Sequence, residues 1–287
     1  METFSQRLGF TPRKTAIQRD SMDDDLRNSL WNALTAHHWG RLRPDRPILL
    51  SEAPPVFSLF RRLWVGYFKL PIDTLPNMWP DAHEKLRDHF FASPWHEVYS
   101  LIEFVANINV SGNDDERNRQ FRETCNTVLK GERAGWRFVG NLLAPITSEE
   151  EIAAIEQAQS YKGPLAGVRE HMRTAVACLA DKKRPDYRNC IKEAVLAVEA
   201  VCRAIVGRPK ATLPEALARL EGRVELHGAL KTALEKLYGF SSDAEGIRHA
   251  LSDAPTLDQE DARFMLVASS AFVHYLVEKA GKAGIRF

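Results

Sequence analysis

Apolar residues recur along most of this chain at the spacing of an α-helix. Leu26, Leu30 and Leu34 follow the acidic run Asp23–Asp25 at intervals of four, and acidic residues favour the N-terminus of a helix. Pro54 opens a second apolar segment of the same period. In the second half of the chain, the apolar period and the helix-breaking residues predict helices near 165–182, 186–206, 213–222, 225–238 and 257–280. The pattern therefore predicts an all-α fold, mainly helical bundles.

One stretch departs from the helical period. Short apolar runs on either side of Gly140–Asn141, a turn signal, predict one small β-hairpin near residues 136–146. Directly after it, Ser148 and Glu151 have the spacing of a capping box for a helix over Glu149–Gln159.

A cluster of glycine and proline follows that helix. Tyr161–Gly167 lies between two strongly periodic segments, which is typical of a linker. We therefore expect two domains, residues 1–160 and 161–287. At 44% hydrophobic composition, each is long enough to bury a core of its own.

The charge balance limits the kinds of partner. The 39 Lys and Arg residues nearly equal the 38 Asp and Glu residues, so the net charge is +1. Proteins that bind nucleic acid through a broad basic surface are more basic than this, so any RNA contact is expected to be local or made by an oligomer. The longest apolar stretch, Phe264–Val273, is too short to cross a bilayer. We expect a cytoplasmic protein without membrane contact.

The cysteine and histidine spacings indicate no metal centre. The four cysteines match no zinc-ligand pattern and are expected to be free, reduced thiols. Asp81 with His83, and His89 with His96, do not converge on one helical face, so solvated side chains are the better interpretation. The chain also lacks the glycine-rich phosphate loops and the G-x-S-x-G nucleophile motif. We expect neither a metal nor a cofactor.

The helix predicted over 186–206 carries charged residues beside its apolar stripe. Arg188, Lys192 and Glu199 follow one another at spacings of four and seven, so they line one flank of that stripe. These side chains are candidates for supporting a site or for contacting RNA.

The last predicted helix leaves little polar surface. Its residues Phe264–Leu276 are mostly apolar, which predicts burial at the centre of the domain or in a dimer interface. His274 within it is expected to be a hydrogen-bonded core or interface histidine. His171 lies in a charge-rich amphipathic helix and is expected at the surface.

The most suggestive pair of side chains lies in a loop between two predicted helices. Arg248 and His249 are adjacent there, shortly after Asp243. A guanidinium can hold a phosphate bidentately, and an imidazole moves a proton near neutral pH, so the pair suits phosphodiester chemistry. In that interpretation the two basic residues of the 186–206 helix add positive charge, and Glu199 orients His249. In the structural alternative, Arg248 pairs with Glu199 or Asp243 and fastens the loop to the bundle.

Segments in both halves carry a family resemblance. The second half resembles the HEPN-like domains of bacterial defence proteins in the segments Pro185–Glu199, Leu237–Ala250 and Ala262–Leu276. The first half resembles an N-terminal domain of AbiJ-like abortive-infection proteins in Phe4–Phe10, Ser21–Asn32, the hairpin and Thr147–Ile152. The resemblance covers nearly the whole chain.

This resemblance implies a HEPN-like helical bundle at the C-terminus, a homodimer formed through that domain and a metal-independent endoribonuclease acting on RNA. Active members carry an Arg and a His with four to six residues between them. This chain departs from that pattern, since no histidine has an arginine five to seven positions before it. Arg223 and His227 are one residue too close, and Arg248 and His249 are adjacent.

Two functions follow as alternatives. In the first, the protein is an antiviral effector that cleaves cellular or phage RNA with Arg248 and His249. In the second, the C-terminal bundle is a non-catalytic module that binds RNA, a nucleotide or a protein partner and regulates defence. The N-terminal domain is expected to control activation or to recognise a trigger, and a phage-derived trigger or a neutralising protein is a further candidate partner.

Overall fold

Helices carry nearly all of the regular structure, as the apolar period predicts. The structure is a computed structural model that describes residues 4–8, 10, 16–43, 45, 47–109, 114–181, 185–220, 222–242 and 257–287. Internal contacts divide the chain into two compact units, Met1–Leu143 and Ala144–Phe287. The prediction of a mainly helical fold with one small hairpin is confirmed.

Unit 1 is built from helices of four to eighteen residues. In chain order they are α1 (Phe4–Arg7), α2 (Asp24–Leu34), α3 (Pro54–Arg62), α4 (Trp79–Ala92), α5 (Trp95–Ala106) and α6 (Asp114–Gly131). Two of them continue with the wider π-helical hydrogen bonding, α2 into Thr35–Trp39 and α3 into Leu63–Tyr67. Short 3-10 turns occupy Leu50–Glu52 and Ile72–Thr74.

Helix α2 begins where the acidic run predicted. The Asp23 carboxylate accepts the backbone N–H of Leu26 at 2.9 Å and so caps the helix. Asp24 and Asp25 occupy its first turn, where negative charge is favourable. Leu26, Leu30 and Leu34 lie on one face and are buried in the core of unit 1.

Aromatic rings dominate that core. Trp79 is fully buried, and its Nε1 donates to the carbonyl of Arg43 at 2.9 Å. His83 packs among the rings of Trp31, Trp39 and Trp79, with centroid distances of 4.9 to 6.1 Å, and is only 7% exposed. The expectation that His83 is solvated is therefore wrong. Its helical position turns it toward the core, and burial lowers the pKa of its imidazole.

The predicted hairpin is present as β1 (Arg137–Val139) and β2 (Leu142–Ala144). Gly140 adopts φ 63° in the turn, a conformation that favours glycine. The Asn126 side chain, from α6, accepts the N–H of Phe138 at 2.7 Å and donates to its carbonyl at 3.0 Å. This side-chain amide satisfies the backbone N–H and C=O of Phe138 at the edge of β1, as a neighbouring strand would.

Unit 2 is a helical bundle arranged around one long helix. Its members are α7 (Glu149–Ser160), α8 (Ala166–Ala180), α9 (Tyr187–Val206), α10 (Leu213–Leu220), α11 (Gly228–Ser242) and α12 (Gln259–Lys282). Helix α9 packs against α8, α10, α11 and α12, and α7 packs against α8 and α12. The five helices predicted for this half are therefore confirmed, with ends displaced by a few residues.

Capping residues define several helix ends in unit 2. Ser148 accepts the N–H of Glu151 at 3.3 Å, as predicted, but its hydroxyl donates to Glu150 at 2.8 Å rather than completing a capping box with Glu151. A complete box, which the sequence analysis did not identify, opens α12 with Asp258 and Asp261.

The segment after α7 is ordered as a short 3-10 turn, Gly163–Leu165. Gly163 has φ 59° and Leu165 is buried. By contacts, α7 belongs with unit 2, and the chain divides into its two compact units after Leu143. The boundary after residue 160 rests on glycine and proline composition and stays a prediction. Within the described residues, no helix combines the length and apolarity that crossing a membrane requires.

Candidate functional site

Three of the predicted site residues, Asp243, Arg248 and His249, lie outside the described residues. Their segment connects α11, which ends at Ser242, to α12, which begins at Gln259. Whether Arg248 and His249 face a common site therefore stays a prediction. The structure shows where the two flanking helices lie in the bundle.

Helix α12 begins beside the first turn of α9. The Cys190 thiol lies 3.8 Å from the carbonyl of Ala262. Burial raises the pKa of the Tyr187 phenol, and the charges of Glu260 and Asp258, at the start of α12, raise it further. The start of α12 therefore lies at the N-terminal end of α9.

The same end of α9 holds two positive charges. Arg188 and Lys192 are one helical turn apart and therefore neighbours on its surface. Arg188 is half-buried and Lys192 is exposed, and within the described part of the chain neither forms an ion pair. Both charges are available to an anionic ligand at this end of the bundle.

Glu199, by contrast, has partners of its own. It is 5% exposed, its Oε1 lies 2.6 Å from Nη2 of Arg203, and its Oε2 accepts the N–H of Leu213 at 2.9 Å. Arg203 also donates to the carbonyl of Ala211 at 2.5 Å. Seven residues separate Glu199 from Lys192, about 10 Å along the helix. Glu199 joins α9 to the start of α10, and its role in orienting His249 stays a prediction.

A histidine that the sequence analysis assigned to the surface is paired with a carboxylate. Nδ1 of His171, on α8, lies 2.7 Å from Oε2 of Glu193, on α9. The His171 side chain is 33% exposed and that of Glu193 14%. A carboxylate that is hydrogen-bonded to one ring nitrogen of a histidine fixes the orientation of the ring and the tautomer of the second nitrogen, as in histidines that act in acid–base catalysis. The pair also connects α8 to α9. The apolar period of the sequence could not predict this contact, because the two residues are on different helices.

His274 occupies the position expected of it. Its Nε2 donates to the carbonyl of Ala154 at 2.8 Å, so its Nδ1 accepts from the Tyr161 hydroxyl at 2.9 Å. The prediction that His274 is hydrogen-bonded is confirmed, the residue is half-buried, and its place in an interface stays a prediction. The cysteines are free, and burial raises the pKa of both Cys190 and Cys202 to about 12, which disfavours the reactive thiolate.

Among the described residues of unit 1, three carboxylates lie together, which their sequence spacing did not indicate. Oxygens of Asp23, Asp25 and Glu132 lie within 4.8 Å of one another. Asp23 already caps α2, and each of the three makes a further interaction. The group is explained by the local fold.

The comparisons with known proteins bear on unit 1 and α7. The sequence profile described as AbiJ N-terminal domain 4 matches residues 2–160, more than half of the 287 residues. No curated protein and no solved structure matches the chain. The HEPN-like character of residues 161–287 stays a prediction. The chain therefore belongs to the AbiJ N-terminal domain 4 family, and that membership indicates an abortive-infection defence protein.

Proposed function

We propose that this protein is an abortive-infection effector whose C-terminal region cleaves cellular or phage RNA without a metal, using Arg248 and His249. The observation that carries the proposal is the position of α12. It begins beside the first turn of α9, where Arg188 and Lys192 leave two positive charges without ion-pair partners in the described part of the chain. A phosphodiester held there would meet the cations of α9, and the proposal adds to them the guanidinium and the imidazole of the segment that joins α11 to α12.

The chemistry required is transesterification. A base removes the proton of a ribose 2′-hydroxyl, the oxygen attacks phosphorus, and the P–O5′ bond breaks as an acid protonates the leaving 5′-oxygen. The products are a 2′,3′-cyclic phosphate and a 5′-hydroxyl. His249 serves as the base or the acid, and Arg248 neutralises charge on the phosphorane. A second protomer supplies the second proton-transfer group.

The surface of α12 supports a homodimer as part of this proposal. Leu266, Val273 and Leu276 are buried within unit 2, but Phe264 on another face is 62% exposed. Val267 and Tyr275, at helical spacing from Phe264, are half-buried, so an apolar stripe continues along the helix. A second copy of the chain can cover this stripe. By light scattering, the parent is expected to have the molar mass of a dimer and Phe264→Glu that of a monomer.

The nuclease assay compares parent, Arg248→Gln and His249→Ala on tRNA and total RNA in the presence of EDTA. The parent is expected to generate fragments with 2′,3′-cyclic phosphate ends, and both variants to lose at least a hundredfold in rate. His96→Ala is a matched control, because His96 is exposed in unit 1. Intact RNA at high parent concentration, or full cleavage by His249→Ala, would overturn the proposal.

Two further arms separate the alternatives. If His171→Ala abolishes cleavage while His249→Ala retains it, the catalytic imidazole is the one paired with Glu193. If the parent binds RNA without cleaving it, and Arg248→Gln weakens that binding, the C-terminal bundle is a non-catalytic module. Growth arrest on induced expression of the parent, but not of His249→Ala, would link the activity to defence in the cytoplasm.

In this proposal the family domain controls the nuclease. It responds to a phage-derived trigger or to a neutralising protein, and loss of that control releases RNA cleavage. Deletion of residues 1–143, which leaves α7 in the C-terminal bundle, is therefore expected to raise toxicity on induced expression, and unchanged or lower toxicity would contradict this control.

A further inference from the structure

An open cleft of about 960 Å³ lies in unit 1 between α3, with its π-helical continuation, and α5. Each helix contributes one face at helical spacing. The first contributes Ser58, Arg61, Arg62, Val65, Gly66 and Tyr67. The second contributes Ser100, Glu103 and Phe104, and the residues 107–109 that follow it complete the lining. The volume is in the range of small-molecule sites.

The rim of this cleft carries two guanidinium groups. Arg61 and Arg62 are both exposed, and Arg61 lies over the ring of Phe57 at 5.7 Å from its centroid. Within the described residues neither arginine forms an ion pair. Two adjacent, uncompensated guanidiniums at one edge form a local site for a phosphate, which they can bind with several charge-assisted hydrogen bonds.

Aromatic rings form the wall. Phe104 and Tyr67 have their centroids 5.5 Å apart at an angle of 52°. The Tyr67 hydroxyl donates to the carbonyl of Glu97 at 3.1 Å, which fixes that ring. The π-helical turn brings Gly66 so close that a Cβ there would lie 2.7 Å from Cζ of Phe104. The Phe104 ring is therefore held in place, with its position set by backbone contact.

Polar groups complete the lining. The carboxyl of Glu103 accepts the N–H of Leu143 at 2.7 Å through one oxygen, and burial raises its pKa. Asn107 uses both amide hydrogens, on the carbonyls of Glu103 and Asn141 at 2.8 Å each, which leaves its Oδ1 as an acceptor. The cleft lining thus combines two exposed cations, aromatic rings and polar hydrogen-bonding groups.

We propose that this cleft binds a ribonucleotide, with the phosphate between Arg61 and Arg62 and the base against Phe104. Planar bases stack on aromatic side chains, and the carboxyl and amide oxygens suit amino and hydroxyl groups of base and ribose. A small ligand is favoured over a long nucleic acid because the positive charge is confined to one edge and the chain's net charge is only +1. This inference does not depend on the nuclease proposal.

Isothermal titration calorimetry of the full-length protein against ribonucleoside 5′-mono- and triphosphates tests the site. At least one nucleotide is expected to bind at least tenfold more tightly than its nucleoside. The double variant Arg61→Gln/Arg62→Gln is expected to weaken nucleotide binding at least tenfold. Arg87→Gln is a matched control, because Arg87 is also exposed on a helix of unit 1 and lies over a ring, 4.7 Å from that of Phe91. Thermal unfolding confirms that each variant is folded.

A second variant separates base from phosphate. Phe104→Leu is expected to weaken the nucleotide at least threefold while leaving competition by inorganic phosphate unchanged. The proposal is overturned if no nucleotide in the panel binds, if the double arginine variant binds as tightly as Arg87→Gln, or if single-stranded RNA binds at this site while mononucleotides do not.

Discussion

Replacing Glu199 tests the role that the structure gives this carboxylate. Glu199→Ala removes both the ion pair with Arg203 and the acceptor for the Leu213 N–H at the start of α10. Glu199→Gln keeps one amide oxygen as an acceptor for that N–H but removes the charge. The two substitutions therefore separate the hydrogen bond from the ion pair.

The magnitude follows from burial. Leu213 is 1% exposed, so its orphaned N–H costs about 1–3 kcal/mol. The Arg203 side chain is 31% exposed, which limits the ion pair to about 1 kcal/mol. Alanine regains a few tenths of a kcal/mol (~0.3) in helix propensity. The free energy of unfolding is expected to fall by about 2–4 kcal/mol for Ala and about 1 kcal/mol for Gln.

Urea unfolding followed by two probes measures this effect. The six tryptophans all lie in unit 1, so tryptophan fluorescence follows that unit, whereas circular dichroism at 222 nm follows helices throughout the chain. The loss should appear in the circular dichroism transition. A change below about 0.5 kcal/mol for Glu199→Ala, the size typical of surface substitutions, would refute the reasoning.

Three further predictions concern single contacts. Since burial lowers the pKa of His83, the unfolded chain binds the proton more tightly, and stability should fall as the pH drops below about 6.5. His83→Phe is expected to flatten the dependence of Tm on pH, and a profile parallel to the parent's would contradict this. Gly66→Ala is expected to cost about 1–3 kcal/mol through its contact with Phe104, and adding Phe104→Leu should recover part of that loss in a double-mutant cycle. Tyr161→Phe removes the donor to His274 and should lower the free energy of unfolding by about 1 kcal/mol, measured by urea denaturation; no change would mean that water replaces the hydroxyl.

Much of the fold was predictable because its signals are local. The Asp23 cap, the leucines that follow it at helical spacing and the Gly140 turn all act within one or two turns of chain. Periodicity likewise located the helices of unit 2 to within a few residues. The resemblance of the first half to AbiJ proteins was carried by residues inside the segment that the family profile matches.

Fewer contacts of the candidate site could be predicted from sequence spacing. Arg188 and Lys192 are neighbours through helix geometry alone, so their association could be predicted from spacing. The partners of Glu199 could not, because the N–H of Leu213 reaches it only after the chain turns at Gly207, with φ 65°. The pairing of His171 with Glu193 depends on how α8 packs on α9.

The sequence by itself determined the helical class, the hairpin, the main helix boundaries and the family of the first half. The tertiary structure decided that His83 lies in the aromatic core, that Glu199 fastens α10, and that Arg61 and Arg62 stand at the rim of a cleft walled by Phe104. The physical reason is how far apart in the sequence the interacting residues lie. Helix period and capping are set by residues within a few positions of each other, whereas burial, ion pairing and cavities depend on which helix faces meet, and helix–helix packing selects those faces.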